Sequence, residues 1–275
     1  MRPPIWLAEL IDSVRRCIAH RRTSTRRSAA GIQAIIDRDF PPESHPYRLL
    51  ERAILRHVAS EHTVLDLGCG RGAPTLVRLK GHAKTLIGVD LVDFEIADPE
   101  LRLLNGDVCD MSFIPSGSID LAYSRSVMEH LKDTTAAFAE INRVLKPHGK
   151  YIFWTPNAWD YVSVIAKVIP NRFHSKIVHV TTGRGGADIF PTFYNANTSR
   201  RINRIAKTMN FELLHFAYLG QYPAALAFNV PLFRMACSYE KFLRHHHSLQ
   251  FLRGWILCVM CKRSRQDLSQ SPRRL

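Results

Sequence analysis

Short apolar runs recur along the chain, each closed by an acid or a small polar residue. Val64-Leu65-Asp66-Leu67 leads straight into Gly68-Cys69-Gly70-Arg71-Gly72. Leu86-Ile87-Gly88-Val89-Asp90 follows, then Leu103 to Val108 with its Gly-Asp close, then Ser118 to Ser124. Continuous apolar runs bounded by turn residues predict buried strands. The stretch from Glu140 reads as a helix, Pro147-His148-Gly149 as its stop, and the residues through Trp154 as a fifth strand. Phe211 to Ala217 and Trp255 to Cys261 supply a sixth and a seventh. Helical periodicity marks Tyr47 to Ala59, ahead of the first strand, and the basic segment Ser199 to Asn210. Residues 221–252 read as a helical pair punctuated by Pro223 and Pro231. Strands alternating with helices predict an α/β three-layer sandwich with a mostly parallel sheet. Ligands of such sheets gather at the carboxyl ends of the strands.

The first strand's junction with the glycines is where chemistry is expected. Gly68, Gly70 and Gly72 have no Cβ, so the turn can be tight and the backbone can lie against a ligand. A helix starting after them would offer free N–H groups to that ligand. The G-x-G-x-G spacing is neither the G-x-G-x-x-G of dinucleotide oxidoreductases nor a Walker loop. Asp90 closes the second strand where a ribose-binding carboxylate belongs, because two adjacent hydroxyls can donate to one carboxylate.

With Asp66 ahead of its glycines, this segment resembles the first motif of class I S-adenosylmethionine-dependent methyltransferases. The later strand ends resemble that family's successive motifs in order, over roughly residues 46–157. The resemblance is to small-molecule members, such as those of quinone and natural-product biosynthesis. It implies a Rossmann-like sheet of seven strands with an antiparallel last strand, and S-adenosylmethionine as cofactor. The acceptor it implies is an oxygen or nitrogen of a small-molecule or lipid- or glycan-linked compound.

Carried over by position, Gly68, Cys69, Gly70 and Gly72 shape the loop around the methionine moiety. Asp66 orders that loop and helps hold the amino group. Asp90 takes the ribose and Leu91 packs on adenine. Asp107 accepts from the adenine amino group, with Val108 beside the ring. Ser124 and Arg125 border the sulfonium. Taken singly, each aspartate also reads as a helix cap or a turn residue. Ser126 to Leu131 resembles the segment after strand four in small-molecule members. His130 there reads as a general base, since imidazole titrates near neutrality, or as a structural histidine bonding the backbone; Glu129 reads as structural. Asn157, Trp159 and Tyr194 are expected to line the acceptor pocket. Thr155-Pro156-Asn157-Ala158 lacks the second proline and the stacking aromatic of amino-methylating DNA enzymes. No Pro-Cys nucleophile follows the fourth strand, and no paired-glutamate loop of protein arginine methyltransferases is present.

Charge keeps two other readings open. The chain carries a formal +14. Much of it lies in residues 1–30, with seven arginines against Glu9 and Asp12, and in residues 262–275, with five basic residues against Asp267. An RNA methyltransferase would place its basic residues around the cofactor mouth; nucleic acid is the less favoured partner, because 158–200 holds more aromatics and histidines than basic residues. A non-catalytic scaffold would be expected to lose the glycines or Asp90. Residues 3–20 carry an apolar helical stripe of Ile5, Leu7, Leu10, Ile11, Val14 and Ile18, followed by arginines. That composition suits an interfacial helix on anionic lipid or a helix packed on the domain. No run is long enough for a transmembrane helix. The six cysteines are scattered and read as reduced, which suggests a cytoplasmic protein, peripheral at a membrane if the tails bind one. Cys258 and Cys261 would point to opposite faces of a strand. His245-His246-His247 point apart on a helix, and no metal is expected. The organisation expected is a basic helix and linker over 1–45, a methyltransferase domain over 46–262 and a basic tail over 263–275. Within that domain, 46–157 is the cofactor core, 158–200 the acceptor side and 221–252 a helical insert.

Overall fold

The computed structural model describes residues 26–168, 190–264 and Asp267. The stripe over 3–20, residues 169–189 of the expected acceptor side and most of the C-terminal tail lie outside the described residues. The described chain forms α1 (Arg26–Asp39), α2 (Pro46–His57), β1 (Thr63–Leu67), α3 (Pro74–Leu79), β2 (Thr85–Asp90), β3 (Leu101–Asn105) and β4 (Ile119–Arg125). It continues through α4 (Thr134–Val144), β5 (Leu145–Pro156), α5 (Tyr161–Val168), α6 (Ser199–Thr208), β6 (Phe211–Leu219), α7 (Val230–His245) and β7 (Trp255–Lys262).

These elements divide between two compact units. The larger holds Pro46–Ala158, Thr192–Tyr218 and the residues from Trp255 on. Its strands belong to one seven-stranded sheet in the order β3-β2-β1-β4-β5-β7-β6. β1 pairs in parallel with β2 and β4, β2 with β3, and β4 with β5, whereas β7 runs antiparallel to β5. The mostly parallel, Rossmann-like sandwich expected from the sequence is therefore the fold. Side-chain alternation sorts the two faces. Leu65, Leu67, Ile87, Val89, Tyr151 and Phe153 face a core closed by Phe138 and Ile141 of α4 and Ile202 and Ala206 of α6. On the opposite face α2 meets β5 through Tyr47, whose ring stands edge-on to Trp154 at 4.9 Å. There α3 sets Leu76 against Gly88 of β2, so closely that a Cβ on Gly88 would lie 2.9 Å from a Leu76 methyl.

The smaller unit contains, among described residues, 26–45, 159–168, 190–191 and 219–254. Ile32, Ile36 and Phe40 of α1 and its exit pack with Tyr222, Phe233 and Cys237. Asp39 lies between Arg38 and Lys241, whose charges hold its carboxyl below the usual range.

Several boundaries differ from the sequence reading. β3 starts at Leu101 and stops at Asn105, paired with Asp90, so Gly106, Asp107 and Val108 follow the strand. Between α1, which runs to Asp39, and α2, which Pro46 opens, the linker expected within 1–45 spans residues 40–45. Pro147-His148-Gly149 does not separate helix from strand: α4 ends at Val144 and β5 begins at once, with a register shift against β4 and His148 at φ 62°. The pair expected in 221–252 is one α-helix flanked by 3-10 turns. Pro231 lies in its first turn, where a missing N–H costs nothing, and the Asn229 side chain accepts from Leu232 N at 3.1 Å. Among the described residues no helix is long and apolar enough to cross a membrane.

Candidate active site

The carboxyl ends of β1 and β2 are tied by bonds from the glycine loop's backbone. Gly68 N donates to Val89 O at 2.8 Å, and Gly70 N to the Asp90 carboxylate at 2.7 Å. The other Asp90 oxygen accepts from Val92 N at 3.2 Å. Gly68 and Gly70 have φ of 73° and 74°, the left-handed region that glycine enters without strain. A Cβ on Gly68 would run into Val127. One on Gly70 or Gly72 would meet nothing within 4 Å, so that side of the loop is open where Asp90 borders it. The following helix α3 has only six residues and opens on Pro74. Gly68 N and Cys69 N already donate to Val89 O and Gly70 N to Asp90, so what the loop offers a ligand is its open side at Gly70 and Gly72. Cys69 is different: its side chain is buried, and its sulfur lies 2.7 Å from where a Cβ on Gly88 would stand. Only its backbone remains for a ligand.

Asp66 pairs in register with Tyr123 across β1 and β4, so both project from one face. Both are buried, and the Tyr123 hydroxyl donates to Asp66 Oδ2 at 2.9 Å. Burial pushes the Asp66 carboxyl up to about 7, against the Tyr123 hydrogen bond and the nearby Arg125 charge. Tyr123 was not singled out from the sequence; its place opposite Asp66 in adjacent strands was the available signal. Arg125 carries its guanidinium 5.0 Å from the centre of the Tyr47 ring.

A second polar group lies at the ends of β4 and β5. The chain leaves β4 through Ser126, at φ 56°, and turns through a short 3-10 segment, Met128–His130. Glu129 is 4 % exposed, and its Oε2 accepts from Thr155 Oγ1 at 3.0 Å. Asn197 Nδ2 donates to the same Thr155 oxygen at 2.7 Å and to Pro156 O at 2.8 Å. Asn197 Oδ1 is buried without a partner. Glu129 O accepts from Phe193 N at 2.7 Å and Tyr194 N at 3.3 Å. Burial pushes the Glu129 carboxyl up, and a charged His130 draws it down. His130 Nε2 stands 3.9 Å from Glu129 Oε1, with the ring side chain 30 % exposed. This arrangement joins a half-open imidazole to a buried, hydrogen-bonded carboxylate. Reading Glu129 as structural from the sequence missed this contact, and Asn197 was not singled out because nothing local marks it.

The remaining expected residues are dispersed. Leu91, at the end of β2, is 60 % exposed beside Asp90. Asp107 is exposed and caps its own turn, accepting from Cys109 N at 2.8 Å, while Val108 is buried in the main core. Ser124 is wholly buried and shares a 2.7 Å hydrogen bond with Tyr151 Oη. Asn157 is buried at the end of β5. Tyr194 is partly buried, at φ 55°. Trp159, 57 % exposed, belongs to the smaller unit.

Comparison with known proteins agrees with this fold. Residues 65–153 match the methyltransferase domain family. A sterol 24-C-methyltransferase of Aspergillus fumigatus is 28 % identical over 180 residues, 62 % of this chain and 45 % of that protein. The chain thus spans less than half the length of that relative. An S-adenosylmethionine-dependent methyltransferase structure from Mesorhizobium loti superposes with a TM-score of 0.50 at 17 % identity, over 80 % of this chain and 99 % of that one. Geranyl diphosphate C-methyltransferase from Streptomyces coelicolor, solved with S-adenosyl-L-homocysteine, gives a TM-score of 0.50 at 17 % identity, over 78 % and 79 %. Residues 65–153 thus match a methyltransferase domain, within a fold shared with S-adenosylmethionine-dependent methyltransferase structures.

Proposed function

We propose that this chain transfers a methyl group from S-adenosylmethionine to a small, largely apolar acceptor at the carboxyl ends of β4 and β5. The observation that carries the reading is the pairing of an open glycine loop bordered by Asp90 with the Glu129–His130 group at the end of β4. The bound cofactor supplies an electrophilic methyl carbon on a positively charged sulfur. Gly70 and Gly72 leave room for its methionine part, and Asp66 lies behind the loop as a carboxylate that a nearby ammonium would ionise. Asp90 accepts from ribose hydroxyls, Leu91 covers one side of adenine, and Asp107 accepts at its rim. Arg125 borders the reacting end. Ser124 acts there through Tyr151, which it holds, and not by direct contact.

His130 takes the proton that the acceptor gives up. Glu129 is a positioning residue: it stands beside the ring, and Thr155, itself bonded by Asn197, donates to Glu129. Tyr194 lines the acceptor, and Asn157, wholly buried, stands behind it. An oxygen or nitrogen acceptor uses a base in this way. The same base serves carbon methylation, the chemistry named for the Aspergillus relative and the Streptomyces structure, which also favours an apolar acceptor. Incubation with methyl-labelled cofactor and a panel of sterols, prenyl diphosphates, phenols and amines tests the reading. Label is expected in an apolar member of the panel. Label only in added RNA, or in no acceptor despite bound cofactor, would refute it.

A further inference from the structure

Helix α6 carries Arg200, Arg201, Arg204 and Lys207, and no acid occurs from Thr192 to Phe211. Its buried side is Ile202 and Ala206, with Ile205 packed against the core. Arg201 is engaged, donating to Tyr194 O at 2.7 Å. Arg200, Arg204 and Lys207 recur at the spacing that places side chains on one helix face, a run of about 10 Å. All three are exposed, and among the described residues none forms an ion pair. The stripe continues past the helix: Arg263 is exposed, and its backbone N donates to Asn210 O at 3.0 Å. Glu212 on β6 is the nearest acid along the chain, and it follows the stripe instead of interrupting it.

At its other end the stripe meets the candidate acceptor site. The Arg201–Tyr194 bond ties the first turn of α6 to Phe193-Tyr194, whose N–H groups bond Glu129 O. Phe193 is 40 % exposed there. Long cationic side chains in a row, with one aromatic at the end, fit a planar array of anionic headgroups. A single-stranded nucleic acid calls for successive stacking aromatics, and α6 has none.

We propose that α6 is a docking face for an anionic membrane surface, through Arg200, Arg204 and Lys207, with Phe193 at its edge. Docking there brings the end of β4 to the bilayer, whatever the acceptor. The test is co-sedimentation of the full chain with phosphatidylcholine vesicles, with and without phosphatidylserine, beside binding to an RNA duplex. The parent should bind only the serine-containing vesicles, and salt should weaken it. The Arg200→Ala/Arg204→Ala/Lys207→Ala variant should lose about a hundredfold in partitioning, and each single variant about fivefold. The singles serve if the triple variant fails to fold. Unchanged partitioning of the variants overturns the proposal. So does a parent that ignores vesicles and binds the duplex through the same residues.

Discussion

Replacing Asp66 with asparagine should change how stability depends on pH. Asp66 is fully buried, and burying its charge is the largest influence on its carboxyl, which moves from 3.8 to about 7. The Tyr123 hydroxyl and Arg125 oppose the shift, and Asp90 adds to it. A shift of about three units corresponds to roughly 4 kcal/mol. Below the unfolded value both states hold the proton, and the residue adds no pH dependence. Above it the unfolded chain releases a proton that the folded chain keeps, so stability falls as pH rises, until the folded group also ionises near 7. Asparagine keeps the shape and an oxygen to accept from Tyr123, but it does not titrate. Measured by urea unfolding, Asp66→Asn should gain on the parent by roughly 2–3 kcal/mol more at about pH 8 than at about pH 5. An equal difference at both pH values would refute the buried, shifted carboxyl. An ammonium bound beside Asp66 would draw the proton off, so parent affinity for S-adenosylhomocysteine should rise with pH toward neutrality and the variant's should not.

Gly70→Val should abolish cofactor binding, because a branched Cβ fills the open side of the loop at a φ of 74°; normal calorimetric binding would place the ligand elsewhere. His130→Ala should lower turnover by about a hundredfold or more with cofactor affinity kept, and should remove the acid limb of the rate profile. An unaltered rate in folded protein would make His130 structural. Glu129→Gln, which keeps an acceptor for Thr155 and loses the charge, should cost turnover about tenfold and shift the pH profile; a loss of stability alone would deny it the positioning role.

The sheet was legible because parallel strands buried on both faces leave continuous apolar runs. The runs at Val64 and Leu86 became β1 and β2 within a residue or two, and the run at Trp255 became the antiparallel but equally buried β7. Pairings that depend on distant residues were not legible. Asp66 looked like a ligand residue, but its orientation depends on Tyr123, a partner contributed by another strand. Glu129 looked structural because Thr155 and Asn197, which reveal its environment, come from β5 and from the turn before α6. Ser124 read as bordering the sulfonium, yet its hydroxyl is buried against Tyr151 Oη. Periodicity also placed Val108 in a strand, whereas β3 ends where its pairing with Asp90 runs out. The helical stripe of residues 3–20 lies outside the described residues; Ser199 to Asn210 read as a basic helix, and which of its cations are exposed comes from the fold.

The central claim is that the cofactor sits between the Gly70 loop and Asp90. Calorimetric titration of S-adenosylhomocysteine into the full chain and into Asp90→Ala tests it most directly. The parent should bind one equivalent per chain. The variant should still fold, at a lower midpoint because Gly70 N and Val92 N lose their acceptor, and bind more weakly by roughly 1.5–3 kcal/mol, the range for hydrogen bonds to a charged group. No binding by the folded parent, or equal affinity in the variant, would contradict the account.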